Sequence, residues 1–145
     1  MARLVIPLLV FCTSLAATQD LTEAKSKLLG KWVLVEQRLE GKATKVKGKT
    51  QFVTFNDDAT FVYQTPASTL QGTWKIGMDD DKVTLDLIVK TNNGKPVTVT
   101  GLAILTIEGD TLKMSRTGFV ANPVRPKVVQ AIEKEIFYQK WERSK

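Results

Sequence analysis

Leu28-Leu29-Gly30-Lys31-Trp32 is the stretch that decides how the rest of this chain is expected to fold. A short helical segment ends at the glycine, and the tryptophan opens the first long strand, Trp32 to Arg38. A large aromatic side chain after a glycine turn suits the residue that closes one end of a small β-barrel. The first and last strands of a closed barrel are neighbours. Gly30, Trp32 and Arg143 are therefore predicted to close the barrel, with the Arg143 guanidinium across the Trp32 ring.

Strand-like segments follow this stretch at short and regular spacing. The clearest is 83–90, where apolar residues at every second position indicate a strand with one dry face. Turn-forming runs such as Asn56-Asp57-Asp58-Ala59 and Asn92-Asn93-Gly94-Lys95 separate the segments. The predicted strands are Trp32–Arg38, Gln51–Phe55, Thr60–Gln64, Gly72–Gly77, 83–90, Val97–Ile107, Thr111–Arg116 and Ile136–Arg143.

Two short helices complete the predicted secondary structure. The first, Leu21 to Leu28, closes one end of the barrel, and the second, Lys127 to Glu135, has apolar residues at helical spacing and packs on the barrel. Eight short strands, hairpin turns and little helix predict an all-β fold, an eight-stranded up-and-down antiparallel barrel. A two-sheet sandwich is the alternative that the pattern leaves open.

The first sixteen residues have the features of a signal peptide, because Arg3 precedes an apolar run, Leu4 to Phe11, and small residues follow it. We expect cleavage after Ala16 or Ala17, which leaves residues 17–145 as one barrel domain, periplasmic or extracellular. The apolar run is too short to span a bilayer, so no stable membrane insertion of the mature chain is expected. A bulky residue before Cys12 argues against a lipoprotein site.

The residue types that are missing argue against an enzyme. The chain has no histidine, and its one cysteine lies in the predicted signal peptide. The usual general base, thiol nucleophile and zinc ligands are therefore absent from the mature chain, and we predict no catalytic residue, no metal and no cofactor. Asp79-Asp80-Asp81 lacks the ligand spacing of a calcium loop and is interpreted as a hairpin tip.

Five short motifs occur in order along the chain: Leu28-x-Gly30-x-Trp32, Gly72-Thr73-Trp74, Gly109-Asp110-Thr111-Leu112, Arg125-Pro126 and Arg143-Ser144-Lys145. Their order resembles that of the lipocalin and calycin superfamily, and more specifically that of the small exported bacterial lipocalin-like domains of unknown function. The resemblance implies an eight-stranded barrel with one end plugged and a central cavity, but no particular substrate. The chain departs from the pattern in the amphipathic stretch Val128 to Ile132.

Two groups of residues are candidate sites. The first is a set of apolar side chains placed inside the barrel, which either fill it or line a pocket for one small ligand. The second is a cationic loop after the first strand, which either attracts an anionic partner at the open mouth or is simply solvated. The interior set is Phe61, Tyr63, Trp74, Leu85, Leu87 and Met114, and the loop set is Lys42, Lys45, Lys47 and Lys49.

The leading interpretation is a non-enzymatic, monomeric binding protein that holds a small apolar or amphiphilic ligand in the barrel. The alternative is a protein-interaction or inhibitor module that uses the barrel loops. The formal charge of +6 falls to +5 without Arg3 and favours acidic partners only weakly. No aromatic residues alternate with the loop lysines, so nucleic acid is not an expected partner. A hollow interior favours the first interpretation, and a filled barrel with an exposed apolar patch favours the second.

Overall fold

The computed structural model describes the backbone of residues 14–129 and 134–145, and within those ranges the side chains from residue 21 onward. Within these residues, one helix precedes nine strands. The helix α1 is Ser14–Leu28, and the strands are β1 Gly30–Leu39, β2 Lys42–Thr44, β3 Phe52–Phe55, β4 Thr60–Gln64, β5 Thr69–Asp79, β6 Lys82–Asn92, β7 Lys95–Glu108, β8 Thr111–Thr117 and β9 Ile136–Arg143.

Eight of these strands form a closed antiparallel barrel. From β3 to β9 each strand pairs with the next along the chain, and β1 pairs with both β3 and β9. The closing pair runs from Trp32 opposite Arg143 to Leu39 opposite Phe137. Because β9 returns to β1, the eight strands leave no open edge between two sheets, which confirms the predicted up-and-down barrel and excludes the two-sheet sandwich.

The ninth strand, β2, was not predicted. It forms a short hairpin with the end of β1, where Leu39 lies opposite Lys42. The two turn residues, Glu40 and Gly41, have φ angles of 52° and 78°, the left-handed conformation of a tight hairpin turn. The sequence signal is weak, because a glutamate occupies a turn position that asparagine or glycine usually fills.

The segment between β8 and β9, residues 118–135, is called the connector. The predicted helix from Lys127 to Glu135 is wrong at its described ends, since residues 127–129 and 134–135 are bends and turns; residues 130–133 lie outside the described part. Glu135 has a φ of 61°, which a right-handed helix does not allow.

The predicted helix Leu21 to Leu28 lies within α1. The predicted signal peptide falls mainly on residues 1–13, outside the described residues, and both predicted cleavage points fall within α1.

The barrel interior is packed with side chains from alternate positions of the strands. One cluster of buried residues runs through it, and it includes all three tryptophans, Trp32, Trp74 and Trp141. Where β5 meets β6 the backbones approach closely, since a Cβ on Gly72 would lie 1.9 Å from the carbonyl oxygen of Ile88. Glycine at this position is therefore required by packing.

Gly72→Ala is expected to destabilise the protein by about 1–3 kcal/mol, because the added methyl group overpacks the β5–β6 pair at its bulge. Gly118→Ala is the matched control, since its Cβ would meet nothing nearer than Val120, at 3.9 Å. Its effect should stay within about 0.5 kcal/mol. Urea denaturation measures both, and equal stabilities of the two variants would contradict the close approach at Gly72.

Candidate functional site

The end of the barrel next to α1 is closed by an arginine and a tryptophan. The Cζ atom of Arg143 lies 4.2 Å from the centroid of the Trp32 ring, on the paired ends of β9 and β1. A Cβ on Gly30, whose φ is 107°, would lie 3.3 Å from the guanidinium, so glycine leaves room for this contact. Stacking of a guanidinium on an indole ring adds attraction to the burial of the ring.

The same two side chains also bind the end of α1. The Arg143 guanidinium donates hydrogen bonds to the backbone carbonyls of Leu29 and Lys27 at 2.8 and 2.7 Å. The Trp32 indole donates to the carbonyl of Leu28 at 2.8 Å. Carbonyls at the end of a helix have no partners within the helix, so these bonds fasten α1 across the closed end of the barrel. A ligand that reaches the interior must therefore enter from the opposite end.

The six predicted interior residues all belong to the buried cluster. Each is at most 8% exposed, and Trp74 packs edge-on against Phe55 with ring centroids 5.8 Å apart. The Trp74 indole donates to the carbonyl of Asn56 in the β3–β4 turn, which fixes the ring at the closed half of the barrel. None of the six lines either of the two recesses described below. Their role in ligand binding stays a prediction. The set is Phe61, Tyr63, Trp74, Leu85, Leu87 and Met114.

A buried arginine lies in the half of the barrel away from α1, where β1 ends at Leu39 and β8 ends at Thr117. This half is called the open half. Arg116 follows Leu112 and Met114 on the inward face of β8, and the residue is only 6% exposed. Its Nε donates to Oε1 of Gln139 at 2.9 Å, and its Nη1 donates to the carbonyl of Thr117 at 2.8 Å. The amide of Gln139 in turn donates to Oε1 of Gln37 at 2.7 Å. This chain of hydrogen bonds holds the guanidinium inside the barrel.

Three aromatic rings surround the Arg116 guanidinium. Its Cζ lies 4.7 Å from the ring centroid of Phe119, 5.0 Å from that of Phe137 and 5.8 Å from that of Tyr63. Within the described part of the chain, no aspartate or glutamate forms an ion pair with it. Burial lowers the pKa of Arg116 from its ordinary value, and the neighbouring Tyr63 opposes this shift. A guanidinium nevertheless stays charged in a protein, so the open half contains a buried cation.

The sequence contains a signal that places Arg116 inside the barrel, although Arg116 is not among the predicted site residues. Arg116 continues the every-second-residue pattern of Leu112 and Met114, both of which are buried. A charged residue in register with buried apolar residues of a strand must point inward. The aromatic partners gave no such signal, because Phe119 and Phe137 come from the connector and from the next strand.

Phe119 reaches the interior because β7 carries a glycine at the matching position. Gly101 lies on the same face of β7 as the buried Ala103, and a Cβ on it would lie 2.8 Å from the Phe119 ring. The connector is held here by two backbone hydrogen bonds between Val120 and Thr100, at 2.9 and 3.1 Å. Gly101 therefore makes space for this ring.

Farther along, the connector crosses the outside of the barrel and is fastened by an arginine. Nη1 of Arg125 donates to the carbonyls of Ala103 and Leu85, and Nη2 forms an ion pair with the carboxylate of Asp86. Lys82 also donates to the carbonyl of Lys127 at 2.6 Å. These contacts fix the connector from Val120 to Lys127, and thereby the position of Phe119.

A recess of about 500 Å³ lies at the rim of the open end. Its walls come from the end of β1, the start of β9 and both ends of the connector. Phe137 belongs both to this recess and to the rings around Arg116, so the recess adjoins the buried cation. The lining residues are Leu39, Glu40, Thr117, Gly118, Val120, Asn122, Pro123, Val124, Lys134, Glu135, Ile136 and Phe137.

The second recess is smaller, about 140 Å³, and lies between α1 and the strands β6 and β7.

The four loop lysines lie beside the open end, away from this second recess. Lys42 lies in β2, and Lys45, Lys47 and Lys49 lie in the segment after it, all of them exposed. Val46, between two of them, packs against the buried cluster and anchors this segment at the mouth. The role of the lysines in attracting an anionic partner stays a prediction.

Among the described residues, no group of three or more histidine, cysteine, aspartate or glutamate side chains is placed to hold a metal ion. No described helix is long and apolar enough to cross a membrane.

Comparison with protein-family models, with curated proteins and with solved structures finds no match for this chain. The barrel is consistent with a calycin-like fold, and the resemblance to the narrower family rests on the sequence motifs.

Trp32→Ala is expected to cost about 3–5 kcal/mol of unfolding free energy as a large-to-small change in the core. Arg143→Met should cost less, about 1–2 kcal/mol, since it removes the stacked cation and its hydrogen bonds but keeps an apolar side chain. Urea denaturation followed by far-ultraviolet circular dichroism measures both.

Arg38→Met is the control for Arg143, because Arg38 lies on the same strand pair, near the ring of Tyr138, with an exposed ion pair to Glu36. Arg38→Met should change the free energy of unfolding by no more than about 0.5 kcal/mol. If Arg143→Met proves as harmless as Arg38→Met, the closed end does not depend on this stacking.

Proposed function

We propose that this chain is a non-enzymatic, exported binding protein that holds a small apolar or amphiphilic molecule at the open end of its barrel. The observation that carries the proposal is the rim recess of about 500 Å³, which adjoins the interior through Phe137. Small-molecule sites in proteins commonly have volumes of about 300–1,000 Å³, walls that are mostly apolar and a few polar groups that fix orientation. Leu39, Val120 and Ile136 supply apolar wall here.

The asymmetry of the barrel supports this location. At the closed end, Arg143 and Trp32 fasten α1 across the opening, and the neighbouring interior is filled by the buried cluster. The open end instead presents the recess and, beneath it, a polar group around Arg116. An amphiphilic ligand suits such a place, because its apolar part can lie against the recess wall while a polar part meets the buried donors.

Residue chemistry supports binding over catalysis. The chain has no histidine, and its one cysteine is at position 12. The buried charged side chain among the described residues of the open half is that of Arg116. A guanidinium does not lose its proton in a protein, so Arg116 cannot act as a general base. The export part of the proposal rests on the signal-peptide features of the first sixteen residues.

The filled interior and the exposed apolar connector are the arrangement that favours the second interpretation, so protein interaction through the connector is a second candidate function. The first candidate rests on the rim recess and not on an interior cavity. Val124 is 81% exposed, and Val120 and Val128 are about half exposed on the same segment. Together with the exposed lysines beside the mouth, these side chains give the open end an apolar and cationic surface, which suits an acidic protein partner. The failure of any small ligand to bind would favour this candidate over the first.

The protein is expected to bind Nile red, a neutral apolar dye, saturably and with one site per chain, because the dye can fill the recess. Val120→Trp should weaken binding at least fivefold, since the larger side chain occupies the recess that Val120 lines. Dye fluorescence measures the affinity, and thermal unfolding confirms that the variant is folded.

Val128→Trp is the matched control, because Val128 has similar exposure on the same connector but does not line the recess. It should bind the dye as the unmodified protein does. Absence of saturable binding by the unmodified protein, or equal affinities of the two tryptophan variants, would overturn the proposed site.

A further inference from the structure

The turns at the open end of the barrel are basic. Four connecting segments lie at this end, 39–42, 45–51, 65–68 and 92–95. Together they contain five lysines and one acidic residue, Glu40. None of these lysines forms an ion pair within the described part of the chain, so no carboxylate there offsets the positive charge of the open end.

The opposite end, next to α1, has charges of both signs and pairs several of them. Arg143 forms an ion pair with Asp110, and Lys27 of α1 forms one with Glu23. The three turns between strands at this end also contain more acidic than basic residues. An anionic surface is therefore attracted to the open end and meets no comparable excess of positive charge at the other end.

Three of the open-end lysines follow one another at alternate positions between β2 and β3. Lys45, Lys47 and Lys49 are exposed, whereas Val46 packs against the buried cluster. The packing of Val46 fixes this segment at the mouth of the barrel, and the lysine side chains extend into solvent. The segment therefore places three cations along one side of the opening.

Two exposed valines lie at the same end, on the connector. Val124 is 81% exposed and Val120 is 47% exposed, and both line the rim recess. Leu39 of the β1–β2 hairpin lines the same recess, and this hairpin also carries Lys42. The apolar and the cationic parts of the open end are therefore adjacent.

The recess itself is not the source of the positive charge. Glu40 and Glu135 line it together with Lys134. The Glu40 carboxylate accepts a hydrogen bond from the backbone N–H of Glu135 at 3.1 Å, which holds this carboxylate within the rim. The attraction for anions therefore comes from the lysines beside the recess, and the recess wall contributes apolar contact.

We propose that the open end binds the surface of an anionic lipid bilayer, with its lysines against the lipid phosphates and with Val120 and Val124 at the level between head groups and acyl chains. Binding of this kind combines electrostatic attraction with the burial of apolar side chains, and the open end supplies both. The inference goes beyond the proposed function, because it concerns a surface contact that does not require the recess to hold a ligand.

The composition of this end favours a bilayer over the acidic protein of the second candidate function. Specific protein interfaces are enriched in aromatic residues, methionine and arginine, and they are depleted in lysine. The four open-end segments contain five lysines and none of the enriched residue types. A bilayer requires no matching shape, and each lysine near an anionic bilayer surface raises the affinity about fivefold.

The test measures co-sedimentation of the full chain with vesicles made of equal parts of phosphatidylglycerol and phosphatidylcholine, and with vesicles of phosphatidylcholine alone. The protein should bind the anionic vesicles roughly twentyfold more tightly or better. An increase in salt from about 0.01 M to about 0.1 M should weaken this binding, because the screening length falls from about 30 Å to about 10 Å.

Two variants with four lysine-to-glutamine substitutions each separate the open end from net charge. The open-end variant should lose roughly twentyfold or more in affinity for the anionic vesicles, and the control variant less than about threefold. Both lose the same charge, and the first sixteen residues are the same in both. The open-end variant replaces Lys42, Lys45, Lys47 and Lys49, and the control replaces Lys25, Lys31, Lys75 and Lys145, which are exposed and nearer α1.

The valines are tested by a second pair of variants. Val124→Ser should weaken binding to the anionic vesicles about threefold, because an exposed apolar side chain at the rim is lost. Val128→Ser is the control, since Val128 is half exposed on the connector but does not line the recess, and it should bind as the unmodified protein does. Equal affinities of the two valine variants would exclude Val124 from the bilayer contact.

Equal losses in the two lysine variants would overturn the inference, because net charge alone would then explain the binding. Equal affinity of the unmodified protein for the two kinds of vesicle would also overturn it. Poly-L-glutamate is the probe for an acidic protein partner: if it binds at least as tightly as the anionic vesicles at equal concentration of negative charge, the partner is a protein and not a bilayer. Nile red binding in solution tests the proposed function separately from all these results.

Discussion

The contact of Arg143 with Trp32 is the interaction on which the rest of the structure depends. It joins the first and last strands of the barrel, and the same guanidinium binds the carbonyls of Lys27 and Leu29 at the end of α1. The same side chain therefore closes the barrel and attaches the helix, through contacts with residues more than a hundred positions away in the sequence. Because α1 covers this end, a ligand would have to enter the barrel at the opposite end.

The two ends of the barrel satisfy their polar groups in different ways. Near α1, the donors of Trp32 and Trp74 meet backbone carbonyls, and apolar side chains fill the space between them. At the other end, Arg116 is buried among aromatic rings and donates to Oε1 of Gln139 and to the carbonyl of Thr117, with no ion pair among the described residues. A buried charge without an ionic partner is costly, so these hydrogen bonds and ring contacts are what keeps the guanidinium inside the barrel.

The barrel could be predicted from the sequence because its signals are local. Alternating apolar residues, hairpin turns and a glycine before Trp32 each act over a few positions, and they specify strands and their order. The open-end cluster depends instead on contacts between distant segments. Phe119 enters the interior because Gly101, on β7, has no side chain, and the connector is not helical at residues 127–129 and 134–135. Neither feature leaves a periodic pattern in the sequence.

The most direct test of the account is a proton–nitrogen NMR spectrum recorded with and without saturating Nile red, with Trp32→Phe and Trp74→Phe to assign two of the indole resonances. The backbone resonances of Val120 and Ile136 at the rim recess should shift, while the indole resonances of Trp32 and Trp74 should remain in place on their carbonyl partners near α1. Shifts confined to the residues near α1, or unmoved rim resonances at saturating dye, would contradict the account.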